Sequence, residues 1–572
     1  MTARGRVLDW AWRHPRSKRL MREAWGVSRE AAAAVGAPRP FDPPEFSQLR
    51  HLAMAAPVPA ADAPRVLFMS WRGWSTHLAI ETVLAHAVAR RGAAPVFATC
   101  GGRLPICDVM AVDAAPPMPC HSCREYAFGA LRAAGFDALA LHDVLDVRTA
   151  VERAKARTAP LHSVLECEEF TADGLPLGRL VRVSVAWFLS RGTLPETRQV
   201  LDTYRAFLAS AIVVASGLRT LLDRVQPDRV FMLNGTFFAE SIMWALADAR
   251  GIPFTTYEKG FVYDSIVMTP GQPACYLMVP EADWTAARDV PLREDEVSAI
   301  DAYLGQREEG GGTLDNFWRD RVDDAARIRT QLRLVPGRPL VVMFCNILWD
   351  SAVLGKDIAF ASMGDWVLEG IAWARAHPEA DLVIRIHPAE VKLLNHPTRE
   401  RTADLIAARV PSLPANVRVV AADDPTSSYA LMDEAALGLV YTSTVGLEMA
   451  ARGSAVVVAA DTHYRGRGFT LDPTTPAEYW ATADRVLASP PDRSESDRIR
   501  DLSRRYAVLF FFRFHQVLDA VHEEGRSRPV VRAEGVNLNP GHSAVIDRLV
   551  AGILDGTSVV APHRTATTPG SE

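Results

Sequence analysis

The chain has 572 residues, 48% of them hydrophobic and 23% charged, with a formal net charge of −5. That length exceeds what one hydrophobic core organises and implies two large domains with extensions. The acidic balance argues against a nucleic-acid binder, which carries a basic excess, and the composition is ordinary for a globular protein.

Residues 1–60 read as a basic N-terminal extension. Arg4, Arg6, Arg13, Arg16, Lys18, Arg19, Arg22 and Arg29 are opposed only by Asp9, Glu23 and Glu30 in the first 30 residues, and Trp10, Trp12 and Trp25 interleave with them. This mix fits an anionic membrane surface with indoles at headgroup level, and equally a solvated helix docked on the body. The start lacks a signal-peptide apolar core, and no apolar run of ~18 residues is expected to span a bilayer. The expected location is the cytoplasm, with peripheral contact on the inner face of the membrane through 1–30. "AAPVPAADAP" (55–64) is a linker.

The first domain is expected over 61–312. Strand "RVLFMSW" (65–71) leads to helix "HLAIETVLAHAVARRG", ending at Gly92 as a C-cap, and to strand "APVFATC". A helical insertion covers about 124–225. Strand "RVFMLNG" (229–235), helix "AESIMWALADARG" and strand "IPFTTYEKG" follow, then helices over 281–307 and a flexible break at "EEGGGT" (308–313).

The second domain is expected over 313–490. It alternates strands "PLVVMFC", "DLVIRIHP", "VRVVAA", "LGLVYTS" and "AVVVAA" with helices "DWVLEGIAWARAH", "RTADLIAARV", "SSYALMDEA" and "VGLEMAARG". That alternation predicts an α/β, doubly wound, Rossmann-like sheet, so two such domains would face a cleft at the strands' carboxyl ends. C-terminal helices are expected over 491–555, with one long helix from 495 to 525, and a disordered tail over 556–572.

Seven cysteines without an export signal read as reduced thiols. Cys100, Cys107, Cys120 and Cys123 form a cluster whose first pair is spaced too widely for the usual zinc pattern. Free thiols, a structural zinc site and a redox disulfide all remain open there.

Four segments fall at predicted strand ends. "LGLVYTSTVGLEMAARG" sets Thr442, Ser443 and Thr444 before a helix starting near Val445, where amides and hydroxyls can hold a phosphate, Gly446 lets backbone approach, and Glu448 can accept from a ribose. The same hydroxyls suit an ordinary helix cap. "IRIHPAE" aims Arg385 and His387 at the cleft, or simply holds a structural histidine. "YEKGF" offers Glu258 as a general base, or a surface Glu-Lys pair. "DTHYRGRGFT" offers Arg465 and Arg467 to phosphate, or forms a solvated loop.

The succession E-x-G-F, R-x-H-P, T-S-T-x-G-x-E-x-x-x-x-G and H-Y-x-G-x-G-F-T resembles the capsule polysaccharide synthesis family, which includes the capsular Kdo transferases. It is closest over 335–475 and thinner over 229–270. The acidic-Gly and His-Pro motifs are also similar, more distantly, to those of bacterial polysialyltransferases. The resemblance implies a GT-B glycosyltransferase that takes a nucleotide-sugar donor, CMP-linked by preference, and a glycan or glycolipid acceptor, without another cofactor. It implies Glu258 as base, His387, Ser443 and Thr444 on the donor phosphate, and Glu448 near the ribose. One departure is Lys259, where the family often has a second acid. A neighbouring ammonium is expected to lower the Glu258 pKa. The rival readings are a CDP-alcohol polyol-phosphate transferase, a nucleotide-sugar epimerase and a non-catalytic scaffold.

Overall fold

The computed structural model describes Ala24, Pro43, Phe46, Leu49 and residues 59–112, 118–309, 322–393, 397–523, 529–532 and 537–563. Apart from Ala24, the basic segment 1–30, with its expected membrane contact, lies outside the described residues, as do 310–313 of the Gly-rich break and 564–572 of the tail. Phe46 and Leu49 are buried against the first domain, so part of the N-terminal extension belongs to its core.

The first sheet contains β1 (Arg65–Met69), β2 (Ala94–Thr99), β3 (Ala138–Ala140), β4 (Arg229–Leu233), β5 (Phe254–Lys259) and β6 (Ser265–Pro270). The second contains β7 (Leu340–Phe344), β8 (Asp381–Arg385), β9 (Val417–Val420), β10 (Leu437–Val440) and β11 (Val456–Val458). A short strand, β12 (Gln516–Val517), returns to the first sheet, and β13 (Val521–Glu523) pairs with β14 (Pro529–Val531).

The first sheet runs β12-β6-β5-β4-β1-β2-β3 and the second β11-β10-β7-β8-β9. Counting from its own first strand, each carries the order 3-2-1-4-5 of a doubly wound Rossmann sheet. Pairing is parallel throughout the second sheet and among β1 to β5, while β6 and β12 are antiparallel additions. Strands such as "LVVMF" are buried along their whole length, as continuous apolar runs covered on both faces must be. The protein is therefore α/β, with two Rossmann-like units in the GT-B arrangement.

The loops that leave β7 and β8 meet the first domain. Trp349 packs edge-on against Trp187 at 5.2 Å, the Thr193 amide donates to Glu400 at 2.7 Å, and the Lys356 ammonium sits 3.5 Å from the Tyr276 ring centre. Both loops emerge from carboxyl ends of strands, so that edge of the second sheet lines the cleft.

The structure departs from the sequence reading in three places. Helices Glu281–Arg288 and Glu294–Glu308 pack on the second domain, with Trp284 5.3 Å from Tyr506. The expected helix over 495–525 is Arg493–Val508 followed by a π-helical turn, Leu509–Phe514. The chain then crosses back to the first domain, and Leu509, Phe510, Phe511 and Phe514 of "LFFFRF" are buried at the crossing in a core that joins Val267 of β6 to the second domain. Of the expected disordered tail, residues 556–563 are ordered, with Val559 and Val560 buried.

Helix Arg198–Val225 is long and apolar enough to cross a membrane, against the expectation of no such run, but 72% of its apolar window is buried inside the protein. It is a core helix of the first domain.

Candidate functional site

In a doubly wound sheet the crevice opens where neighbouring strands send their chains to opposite sides. In the second domain that point lies between β7 and β10. Asn346 follows β7, and its side-chain oxygen accepts from the Thr442 amide at 3.1 Å. The Thr442 carbonyl accepts from the Thr462 hydroxyl at 3.2 Å. The Thr442 hydroxyl is buried and has no hydrogen-bond partner among the described residues. Leaving such a group unmade costs about 1–3 kcal/mol, and a ligand or water at this point would remove the cost.

Ser443 does part of what a cap does: its hydroxyl accepts from the Val445 amide at 3.3 Å. Thr444 takes the N-cap position without a side-chain cap bond, before the short helix Val445–Ala450. Gly446 is needed for packing rather than for ligand approach, since a Cβ there would lie 2.3 Å from the Tyr464 hydroxyl.

His387 stands two residues beyond β8. Its Nδ1 accepts from the Ala389 amide at 3.1 Å, which places the ring proton on Nε2. Burial, with the Arg385 charge second, lowers its pKa to about 4, so it works as a neutral donor.

The expected cations are consumed by the fold. Arg385 is buried and donates to the Ala421 carbonyl at 2.7 Å and the Asp424 carbonyl at 3.3 Å. Arg465 donates to the carbonyls of Val458, Asp472 and Pro473 at 3.0, 2.8 and 2.5 Å. Arg467 donates to the Val279 carbonyl and pairs with Glu281. Glu448 is buried and paired with Arg307 at 2.8 Å, which takes it away from any ribose. In each case loop carbonyls or an opposite charge engage the group, and its charge alone did not reveal that.

Glu258 ends β5, at the carboxyl edge of the first sheet. It accepts from the Lys259 amide at 2.8 Å and from the Asn234 side chain. Asn234 is held by its own oxygen, which accepts from the Thr236 amide at 2.9 Å. Burial raises the Glu258 pKa above the ordinary value, and this outweighs both bonds and the Lys259 charge. The expectation of a lowered pKa is therefore corrected. Lys259 leaves the opposite face of the strand and pairs with Glu523 at 2.6 Å.

Three residues missed in the sequence belong to this cleft. The Lys356 ammonium is buried, 3.1 Å from the Asp461 carboxylate, besides its contact with Tyr276. Glu258, Lys356 and Asp350 all act electrostatically on the Cys275 thiol, which burial pushes up to about 12. Asn346 had a usable signal, an amide directly after a buried strand. Lys356 and Asp350 sit in a loop without periodicity and had none.

The cysteine cluster does not become a metal centre: no group of side chains among the described residues could hold a metal ion. The Cys123 sulfur accepts from the Gly73 amide at 3.1 Å, and none of the seven cysteines forms a disulfide.

No family model matches the chain, and no curated protein matches it. Solved structures do. KpsC, a β-Kdo 2,4 transferase of Thermosulfurimonas dismutans, matches at 16% identity over 48% of this chain and 78% of its own, with a TM-score of 0.32. A UDP-GlcNAc 2-epimerase from Neisseria meningitidis matches at 12% identity over 77% and 98%, with a TM-score of 0.23. The glycosyltransferase SnogD from Streptomyces nogalater matches at 14% over 77% and 95%, with a TM-score of 0.22. Overlaps this low carry no functional argument, so the site's own chemistry must supply it.

Proposed function

We propose that the protein is a glycosyltransferase that moves a sugar from a nucleotide-activated donor to a glycan or glycolipid acceptor in cell-surface polysaccharide assembly. The observation that carries this reading is the Thr442 hydroxyl, buried without a partner among the described residues at the switch point of the second sheet. Together with His387 Nε2–H it offers donors to a phosphate, and Lys356 supplies nearby positive charge. Glu258, on the first domain's sheet edge, takes the proton.

In the proposed step the acceptor O–H bond breaks and its proton passes to the Glu258 carboxylate. The oxygen bonds to the anomeric carbon while the sugar–phosphate bond breaks, its electron pair leaving on the phosphate. A raised pKa makes the ionised carboxylate a stronger proton acceptor. Donors fixed where charge develops stabilise the departing phosphate. One displacement inverts the anomeric centre. Because these donors can serve without a metal ion, turnover is expected to survive chelation by EDTA. A CMP-linked donor is the first choice. The basic, Trp-bearing segment 1–30 supports docking on an anionic membrane face, which flotation with and without anionic lipid would test.

The deciding experiment is thermal unfolding with CMP, CDP, UDP and GDP. Bound nucleotide at 100 times its dissociation constant stabilises by about 2.7 kcal/mol. Protection by one nucleotide, CMP first, supports the reading. No shift with any of them favours a scaffold. Donor conversion without acceptor would indicate an epimerase, and transfer of a phosphorus-bearing group a polyol-phosphate transferase.

A further inference from the structure

A hydrogen-bonded chain on the face of β5 opposite Glu258 has no part in donor binding or in the proton transfer. Tyr257 is fully buried and stacks on Phe231 at 4.9 Å. Its hydroxyl donates to one oxygen of Glu81 at 2.8 Å, and the other Glu81 oxygen is in contact with the Ser70 hydroxyl. Burial holds the Tyr257 pKa well above the usual value, so the phenol keeps its single proton and donates it to Glu81 Oε1. Burial also raises Glu81 to about 8, and with Oε1 accepting, the proton Glu81 holds below that pH lies on Oε2, at Ser70. His77 Nδ1 lies 3.2 Å from the same phenol oxygen. That oxygen can then only accept, so Nδ1 carries the imidazole proton and Nε2 carries a lone pair. Burial, then the charges of Lys259 and Arg72, lower the His77 pKa to about 3 and keep the ring neutral.

His77 stands in the first turn of helix Ser75–Ala89, just past the carboxyl end of β1, and its ring is half-buried. No hydrogen bond to Nε2 is found among the described residues. Trp74 lies beside it at 5.6 Å, and a row of aromatic contacts runs from Trp74 through Phe237 and Trp187 to Trp349 of the second domain. This places His77 and Trp74 on the first domain's side of the junction.

We infer that Trp74 and His77 form an acceptor-sugar subsite, in which His77 Nε2 accepts a hydrogen bond from a neutral sugar hydroxyl and the Trp74 indole covers an apolar ring face. The inference rests on reading the cleft as a glycosyl-transfer site. A nitrogen that offers only a lone pair selects a hydroxyl over a carboxylate or phosphate, which brings no proton to it. Tyr257 and Glu81 are positioning residues, since they act only by fixing the tautomer.

The test is imidazole ¹⁵N spectroscopy of the full chain, with and without a panel of methyl hexopyranosides. The wild type should show His77 protonated on Nδ1, and a hexoside should perturb the Nε2 signal. Tyr257→Phe should lose the tautomer preference and bind the hexoside about tenfold more weakly, the loss expected for one hydrogen bond. His77→Ala, which removes a half-buried ring and leaves the Tyr257–Glu81 bond in place, should lose that affinity too. A ring protonated on Nε2 in the wild type would overturn the inference, as would a ring unmoved by every hexoside. If nucleotides protect while the ring stays silent, this subsite fails and the transfer reading stands. If the ring responds and no nucleotide protects, the reverse holds.

Discussion

Glu258 and Lys259 are sequence neighbours whose side chains leave opposite faces of β5. Lys259 crosses to Glu523 in the C-terminal segment at 2.6 Å, while Glu258 accepts from the Lys259 backbone amide and from Asn234. Among the described residues Glu258 makes no ion pair. The two adjacent positions therefore do different jobs, one joining segments and the other presenting a carboxyl to the cleft. Glu258→Gln should reduce transfer by about 10²–10⁴-fold, the usual size of a lost general base, and leave nucleotide protection intact. Lys259→Met should retain most of the transfer. Near wild-type turnover in the glutamine variant would sink the assignment.

Stability should peak near pH 6.5. Four histidines, the buried His463 and His515 and the half-buried His77 and His387, have lowered pKa values, about 3, 4 and 4 for His77, His387 and His515 and well below the ordinary value for His463. The unfolded chain protonates them near 6.5 while the folded one does not, so their contribution is present above 6.5 and is lost as pH falls. Glu81 runs the other way: burial raises its pKa to about 8, so the folded state holds a proton that the unfolded state releases, and stability is lost as pH rises towards 8. Each uncompensated proton gives a slope of about 1.4 kcal/mol per pH unit. Denaturant midpoints from pH 5 to 9 would show the dome, and Glu81→Gln should flatten its alkaline side. An unchanged alkaline slope in that variant would refute the assignment.

Gly446→Ala should cost stability before it costs binding. The added methyl would meet the Tyr464 hydroxyl at 2.3 Å and Val440 at 3.0 Å, and Tyr464 is fully buried with its hydroxyl donating to the Ser443 carbonyl. Overpacking of this kind costs about 1–3 kcal/mol, readable in the denaturation midpoint. Lost nucleotide binding at unchanged stability would return Gly446 to the ligand.

Removing one partner of the Arg307–Glu448 pair should be expensive. Both side chains are almost wholly buried, and an orphaned buried charge costs about 3–5 kcal/mol. Glu448→Gln should lower the midpoint accordingly, and Arg307→Met combined with Glu448→Leu should recover most of it. Nucleotide protection in the double variant should match the wild type. Its loss would place Glu448 on the donor after all.

The strands and their alternation with helices were legible because buried parallel strands read as unbroken apolar runs. His387, Glu258 and the Thr442–Thr444 turn were also placed at strand ends correctly. The arginines were misread for a physical reason. A guanidinium looks the same in sequence whether it meets a phosphate or a loop carbonyl, and Arg385 and Arg465 meet carbonyls. The set Glu81, His77 and Tyr257 was invisible because it joins positions 176 apart along the chain. The 495–525 helix failed because "LFFFRF" is apolar enough for either element, and only the edge of β6 decided that Gln516 and Val517 pair as a strand.

That return to the first sheet makes the first lobe discontinuous along the gene product. β12 extends its edge, and helix Ala544–Leu554 buries Leu549 and Val550 with Phe68 and Leu84 in one core. Among the described residues the backbone leaves the first lobe between β6 and helix Glu281–Arg288 and returns through Leu509–Phe514. A body joined by two strands of backbone opens like a door on paired pins: swinging is cheap, twisting and shearing are not. A fragment that stops near residue 490 would forfeit the second pin and leave the first lobe with an open edge and an uncovered face.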